Sequence, residues 1–479
     1  MKLSEFLLQM SYLKCTNDKD IEIERISINS KKLQKNSIFI CLNGKNVDGH
    51  NYVQEAIKNG AVAIVCEKIL KVDLSIPQIL VSDTRIAYAE ISEIFFKHPS
   101  HKLKVIGVVG TNGKSTTSYL IYEILKRSGK KVGLIGSMYY EYMNHKEKSN
   151  MTTPDPYELN RLFLDMVVDG VEYVVMEVSA HAIYLKKVYG IKFEVKVFTN
   201  FSQDHLDYFK DMNSYRECKK SFFIDSNESL LVINSDDDLG LEIINSVNNR
   251  VISYGIDKPS DIFAINIKNS IKGTSYVMNL FDDILFIKSN LIGKFNVLNE
   301  MAAAICCRSI GLHNEIIVNS IGLINPPEGR FNVFRYKGIT YVVDFAHTPD
   351  GLSNLLNEVK NIAKGNVITV FGCGGDRDCL KRPIMGKIAS EFSDVIIVTS
   401  DNPRTEDKME IIVQIIQGIK SGCKFYVESD RKKAIELSLE IAKKGDFVVL
   451  AGKGAENYME INNEKIPYSD IEEVKKFAK

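Results

Sequence analysis

The 479-residue chain is long enough for about three domains at roughly 150 residues each. Its 61 basic and 61 acidic residues cancel, which excludes a global attraction to nucleic acid or an anionic membrane and leaves ligands to be recognised locally. Nine scattered cysteines without a Cys-x-x-Cys pair argue against a disulfide framework or zinc site, and a charged start with no long apolar run predicts a cytoplasmic protein.

From Ile23 to about Ser100 the pattern is that of a small α/β unit. It has a strand at Ser37–Leu42, a turn at Asn43-Gly44, a helix from Tyr52 to Asn59, and strands at Ala61–Val65 and Gln78–Val81. Asp48-Gly49-His50 reads as a solvated turn. The polar stretch Lys97-His98-Pro99-Ser100-His101 marks a boundary, since proline disfavours helix continuation.

Next, the apolar run Lys104–Val109 leads through Gly110-Thr111-Asn112-Gly113-Lys114-Ser115-Thr116 into the helical spacing of Ser118–Leu125. A glycine turn between strand and helix aims backbone N–H groups and a positive helix end at a phosphate, while Lys114 adds charge and Ser115 a hydroxyl for Mg²⁺. Val108 stands where the general P-loop pattern has glycine, so a shortened form remains.

Strands at Lys131–Ile135, Val171–Met176 and Glu194–Phe198 alternate with helices and predict a doubly wound parallel sheet whose ligands gather at strand carboxyl ends. Two such ends carry Glu177-Val178-Ser179-Ala180-His181 and Thr199-Asn200-Phe201-Ser202-Gln203-Asp204-His205-Leu206-Asp207, whose carboxylate and imidazole groups suit Mg²⁺ beside a P-loop. Arg250–Leu291 reads as short strands, Gly293-Lys294-Phe295-Asn296 opens a helix, and Pro326-Pro327-Glu328-Gly329-Arg330 marks the second boundary. Strands at Thr340–Val343, Val367–Phe371, Val395–Val398 and Phe447–Leu450 then predict a third α/β unit of nucleotide-binding type.

These motifs, with Gly293-Lys294-Phe295-Asn296-Val297-Leu298-Asn299 and Asp344-Phe345-Ala346-His347-Thr348-Pro349-Asp350, make the chain resemble the Mur ligases, ATP-dependent amide-bond-forming enzymes of peptidoglycan synthesis. Phe371-Gly372-Cys373-Gly374-Gly375-Asp376-Arg377-Asp378, Asp401-Asn402-Pro403-Arg404 and Ala451-Gly452-Lys453-Gly454 resemble the branch that adds the third peptide residue, of the meso-diaminopimelate-adding kind. The resemblance implies an α/β protein of three domains: a small uridine-binding domain over 1–100, a central P-loop sheet over 101–327, and a Rossmann-like amino-acid-binding domain over 328–479.

It further implies two Mg²⁺ ions, one held by Ser115 and Glu177 and the other served by His205 and by Lys219 as a carbamate, N6-carboxylysine; taken alone, Lys219 reads as a surface lysine. The triphosphate of ATP would lie on Gly110–Thr116, with Lys114 catalytic, and its adenine and ribose beside Asn296, Asn299, Arg330, Asp344 and His347. The UDP-sugar dipeptide would run from Ser30 and the Lys45-Asn46-Val47 loop to Thr152, Thr153, Ser179 and Lys187, and diaminopimelate would meet Arg377, Asp401, Asn402, Pro403, Arg404, Gly452 and Glu456. Met151, Leu185, Lys187 and Ala455 replace the asparagine, glutamine, arginine and histidine common in relatives, so polar contacts at 151 and 185 are lost and Lys187 keeps charge without a bidentate fork.

The partners implied are therefore small molecules, with no nucleic acid and no membrane. Competing readings are a lysine-adding ligase, a folylpolyglutamate synthase lacking the small first domain, and, from another class, a P-loop switch or transport ATPase. Meso-lanthionine, a thioether analogue, is hard for an apolar wall to reject in favour of diaminopimelate.

Overall fold

The computed structural model describes residues 1–17, 19–44, 47–73, 75–224 and 228–478. They pack as two compact units, Met1–Gly107 with Lys131–Glu194, and Val108–Lys130 with Val195–Lys479.

In the first unit a five-stranded sheet runs, edge to edge, Lys14–Cys15, Gln78–Leu80, Ala61–Cys66, Ser37–Ile40 and Arg25–Ser27, with only the first pair antiparallel. Its central strands are mostly apolar because both faces are covered: Ile38, Ile40, Ala63 and Val65 join one core, and Phe39, Cys41, Ile64 and Cys66 the other. The same unit pairs Tyr173–Glu177 in parallel with Val132–Ile135, then adds Tyr139–Tyr142 and His145–Lys148 as an antiparallel hairpin.

The expected helix from Tyr52 is shorter, Val53–Lys58, and is preceded by a 3₁₀ turn at Gly49–Tyr52. The Asp48-Gly49-His50 segment is not a solvated turn. His50 is buried, its Nδ1 lies 2.6 Å from Asp48 Oδ1, and its Nε2 accepts the Glu67 N–H at 3.0 Å, so the imidazole fastens this loop to the next strand end.

The second unit continues from Phe193–Phe198 through parallel strands Leu230–Asn234, Val251–Gly255 and Ile262–Ser270 to an antiparallel pair, Gly273–Leu280 and Asp283–Ser289. The region read as short strands is thus a long meander, and the central sheets are mixed instead of purely parallel. A six-stranded sheet follows in the order Asn332–Tyr336, Ile339–Asp344, Phe447–Ala451, Val367–Phe371, Val395–Val398, Phe425–Val427, parallel except at its first pair. Alternate residues feed opposite cores, Val342, Ile396, Val398 and Val449 on one face, Tyr341, Val343, Ile397 and Val448 on the other. This is the doubly wound arrangement, and its loops of interest emerge at the carboxyl ends of the strands.

Candidate active site

The phosphate cradle is built from the strand end outward. Lys104–Val109 is buried from Val105 on, and glycine at 110 lets the loop pass close to the neighbouring strand end, where a Cβ would stand 1.8 Å from Thr199 Oγ1. The neighbouring strand end fixes the loop: the Asn200 carbonyl accepts the Thr111 N–H at 2.9 Å, Asn200 Oδ1 accepts the Asn112 N–H at 2.8 Å, and Thr199 Oγ1 donates to the Asn112 carbonyl at 2.6 Å. Asn112 donates to Asp350 at 2.8 Å and accepts from Thr348 at 3.2 Å. Thr348 also caps the helix Pro349–Ile362, accepting the Gly351 N–H, so one buried hydroxyl ties that helix start to the loop.

Lys114 and Ser115 begin the helix Lys114–Arg127. The Lys114 ammonium folds over its own loop, donating to the carbonyls of Gly110 at 2.9 Å and Thr111 at 3.0 Å, while Ser115 Oγ accepts from Arg330 at 3.1 Å. The Arg330 guanidinium lies 4.6 Å from the Phe345 ring centroid, a flat cationic face beside the helix start. Asp344 accepts the N–H groups of Phe331 and Ala346, each at 2.8 Å; burial raises its carboxyl above the usual range despite the charge of Arg330. Asn296 and Asn299 are buried and engaged with each other at 3.1 Å, and Asn299 accepts from Thr117 at 3.1 Å, joining the helix Lys294–Ser309 to the P-loop helix.

A second cluster centres on Asp204, a buried carboxylate that meets His205 Nε2 at 3.4 Å, Lys381 Nζ at 3.5 Å and His347 Nε2 at 3.7 Å. Burial opposes ionisation, but the neighbouring His347, Lys381 and His205 favour the charged form and hold the carboxyl well below its ordinary range. His205 is held at φ 58, a left-handed conformation uncommon outside glycine and asparagine, which aims its ring off the strand end. Beyond it, Asp211 caps the helix Met212–Ser221, placing Tyr215 and Lys219 one turn apart on the inward face.

Lys219 is not at the surface. It is fully buried, donates to Thr111 Oγ1 at 2.7 Å and lies 4.5 Å from the Tyr215 ring centroid. Burial, and then the charge of Lys114, hold its amine well below the ordinary lysine range.

At the carboxyl end of Val395–Val398, Asp401 and Asn402 gather around Lys453, which is fully buried. Lys453 donates to Asn402 Oδ1 and Glu456 Oε2, each at 2.9 Å, and stands 3.8 Å from Asp401 Oδ1; Asn402 in turn donates to Glu456 at 2.9 Å. Burial works against ionising Asp401, yet Lys453 and Arg431 hold its carboxyl below the usual range. Arg404 is left-handed at φ 52 and spends its fork on Glu460 Oε2 at 3.0 Å and the Gly375 carbonyl at 2.7 Å. Gly375 permits this, since a Cβ there would meet the Pro403 carbonyl at 1.9 Å. Arg377 is more exposed and reaches Asp207 at 3.5 Å. Two features went unassigned in sequence, Lys453 and the Asp204 hub; the glycines flanking Lys453 at a strand end were the available signal for the first.

Within the first unit, Thr152, Thr153, Ser179 and Lys187 come together. Thr153 Oγ1 donates to the Glu177 carbonyl at 3.0 Å and accepts the Ser179 N–H at 3.1 Å, Thr152 Oγ1 lies 3.0 Å from Ser137 Oγ, and Lys187 pairs with Asp155 at 2.8 Å. Lys187 Nζ also lies 3.4 Å from Met151 Sδ, the residue that replaces asparagine. Glu177 is buried and accepts from the Ser137 N–H at 2.8 Å and hydroxyl at 3.0 Å. Ser30 instead donates to Glu55 at 2.5 Å; Val47 is exposed, and Lys45 and Asn46 lie outside the described residues.

Three family profiles match along the sequence: "Mur ligase family, catalytic domain" over residues 22–107, "Mur ligase middle domain" over 108–307 and "Mur ligase, glutamate ligase domain" over 329–454. The chain belongs to the Mur ligase family. It is 40% identical to a Clostridium acetobutylicum protein named UDP-N-acetylmuramoyl-L-alanyl-D-glutamate–2,6-diaminopimelate ligase 1, across 100% of this chain and 99% of the relative. It is also 40% identical to the like-named ligase of Aquifex aeolicus, across 95% and 93%. A solved structure of a ligase with that name superimposes with a TM-score of 0.68 at 31% identity, covering 95% of this Mur ligase and 94% of the other chain. A MurF ligase from Thermotoga maritima solved with ADP shares the fold, at TM-score 0.61 and 22% identity over 89% and 93%. Among the described residues no helix of this Mur ligase is long and apolar enough to cross a membrane.

Proposed function

We propose that this Mur ligase adds meso-diaminopimelate to UDP-MurNAc-L-Ala-D-Glu, cleaving ATP to ADP and phosphate, in the assembly of peptidoglycan precursors. The observation that carries this reading is identity of 40% along the whole chain to ligases named for that addition. A carboxylate is a poor acylating agent, so the D-glutamyl carboxylate first takes the γ-phosphoryl group with release of ADP, and the amine of the incoming amino acid then attacks the acyl carbon and expels phosphate. Phosphoryl transfer calls for positioned charge more than covalent help. The loop amides of Gly110–Thr116 and the Lys114 ammonium supply it, and Arg330, assigned to the nucleoside, lies against Ser115 at the start of the same helix.

Mg²⁺ suits the donors, since Ser115, Glu177 and a lysine carbamate offer hard oxygens and His205 a nitrogen. Bound there, the ions would neutralise phosphate charge. Burial disfavours the charged form of the Lys219 amine, and the uncharged form is the one that adds to carbon dioxide, which supports reading Lys219 as carbamylated. Asn296, Asn299, Asp344 and His347 are assigned to the nucleoside, and Ser30, Lys45, Asn46, Val47, Thr152, Thr153, Ser179 and Lys187 to the UDP-sugar dipeptide.

For the amino acid, Arg404 faces the distal carboxylate, with Arg377, Asp401, Asn402, Pro403, Gly452 and Glu456 around it. A guanidinium matches a carboxylate through two parallel hydrogen bonds, so Arg404 would exchange its contacts with Glu460 and the Gly375 carbonyl for the distal carboxylate, a gain that an amino acid lacking that group does not supply. Both nucleotide substrates are intracellular metabolites, which places the reaction in the cytoplasm.

The test uses dipeptide precursor labelled with ¹⁸O in its D-glutamyl γ-carboxylate, with ATP, Mg²⁺ and meso-diaminopimelate. One ¹⁸O should appear in inorganic phosphate for each tripeptide precursor formed, and ADP release should require both other substrates. Unlabelled phosphate, or ATP cleavage indifferent to the substrates, would instead indicate a hydrolytic switch.

A further inference from the structure

The boundary stretch after the first α/β unit holds a cluster that the ligase reaction leaves unused. We propose that Glu93, His98 and His101 form a binding site for a divalent transition-metal ion, zinc by the chemistry of its donors. The helix Thr84–Phe95 ends in a Schellman turn, with the Lys97 N–H donating to the Ile94 carbonyl at 3.0 Å and the His98 N–H to the Glu93 carbonyl at 2.8 Å. That turn folds His98 back on the last helical turn, so its Nδ1 stands 2.9 Å from Glu93 Oε2. Pro99 then opens a 3₁₀ turn, Pro99–Lys102, which brings His101 Nε2 to 3.8 Å from the same oxygen. One donor atom from each residue lies within 4.8 Å of the other two. Bonds of about 2.0–2.2 Å in tetrahedral array put zinc donors roughly 3.3–3.6 Å apart, so the Glu93–His98 pair would open slightly and His101 would move inward.

The surrounding bonds hold each ligand in a metal-binding orientation. Gln9 Nε2 donates to the Glu5 carbonyl at 2.9 Å, which turns its Oε1 toward His98 Nε2 at 3.1 Å. With Nε2 facing the Gln9 oxygen, Nδ1 faces the carboxylate across a proton whose place a metal ion would take. Ser100, fully buried, donates to the other Glu93 oxygen at 2.5 Å. A ligand imidazole tied down through its far nitrogen, and a ligand carboxylate tied down through its spare oxygen, are the usual outer contacts of a metal centre.

Among the described residues the two imidazoles are the only charged partners within 4 Å of Glu93, which is itself 6% exposed. The plain alternative is a helix-capping ion pair, for which His98 suffices. His101 distinguishes the two, because it adds nothing to the cap, and its 54% exposure leaves room for water to complete the coordination. Bound there, the ion would staple the helix end to the turn that leads into the P-loop strand. It is a site that cysteine counting overlooks, since its donors are imidazole and carboxylate.

The experiment titrates metal-free full-length enzyme, in excess Mg²⁺, with Zn²⁺ against a chromophoric chelator, comparing wild type with His101→Ala and Glu93→Gln. Cysteines and the active-site histidines are common to all three proteins, so the differences report this cluster. Both variants should lose one equivalent or bind it at least roughly 10-fold more weakly, and Zn²⁺ should raise the wild-type Tm more than that of His101→Ala. His101 is exposed, so its variant decides the matter even if Glu93→Gln does not fold. Isotherms of His101→Ala and wild type that coincide would overturn the site and leave the capping pair.

Discussion

Lys219 is fully buried and donates to the Thr111 hydroxyl at 2.7 Å. If it works as a carbamate, Lys219→Ala removes two oxygens from the site and leaves a cavity of carboxylate size. The variant should be inactive, and added formate or acetate should restore part of the activity; full activity without additive contradicts the role. Lys114→Ala should keep the fold and lose about 10²–10³ in turnover, the usual cost of deleting one preorganised electrostatic contact. Undiminished turnover in the folded variant would remove Lys114 from the reaction. At this scale the sequence was partly legible. The glycine turn before Lys114 has local chemistry that announces it, but the inward aim of Lys219 depends on which face of its helix packs, and the burial of His50 depends on a backbone group seventeen residues away.

Two buried polar arrangements set the behaviour of whole elements. Arg431, in the helix Arg431–Ile441, pairs with Asp470 at 2.7 Å with both side chains buried, and it also donates to the carbonyls of Ser400 at 3.2 Å and Ala451 at 2.9 Å. Those carbonyls lie at the strand ends that carry Asp401 and Gly452. Asp470→Ala strands the guanidinium and should cost about 3–5 kcal/mol in chemical unfolding, whereas an unchanged midpoint would show the pair to be dispensable.

Glu300, in the helix Lys294–Ser309, is raised by burial to about 7 from an ordinary 4.5, although it accepts hydrogen bonds from Ser289 and Tyr276. Between those two values the folded protein keeps a proton that the unfolded chain releases, so Glu300 makes stability fall as pH rises from about 4.5 to about 7 and leaves it flat above. The Tm of Glu300→Gln relative to wild type should climb across that window and then level; a difference independent of pH contradicts it. Elements were legible where burial made them so. Val367–Phe371 and Val395–Val398 are buried throughout, and both were read at their observed limits. The hairpins Tyr139–Tyr142 with His145–Lys148 and Tyr458–Ile461 with Glu464–Pro467 were missed, because His145–Lys148 and Glu464–Pro467 are exposed along their length and carry no apolar alternation.

At the scale of the molecule, the order of motifs located the family before any coordinates, since a P-loop, an Asp-His-Leu-Asp segment and an Asp-Asn-Pro-Arg loop at successive strand ends form one long pattern. What the pattern could not display is the way Lys453 and Glu460 occupy the polar groups of Asn402 and Arg404. The preference for an amino acid with a distal carboxylate is the central claim, because the loop that carries Arg404 is assigned to that task alone. The measurement is a competition: wild type and Arg404→Ala, each with ATP, Mg²⁺, UDP-MurNAc-L-Ala-D-Glu and equimolar meso-diaminopimelate, meso-lanthionine and L-lysine, with product masses read out. Wild type should form the diaminopimelate product, with lanthionine accepted and lysine disfavoured by roughly 10⁴, the discrimination expected of a site built around a polar group. Arg404→Ala should narrow that gap. Lysine incorporated by wild type as readily as diaminopimelate would contradict the account.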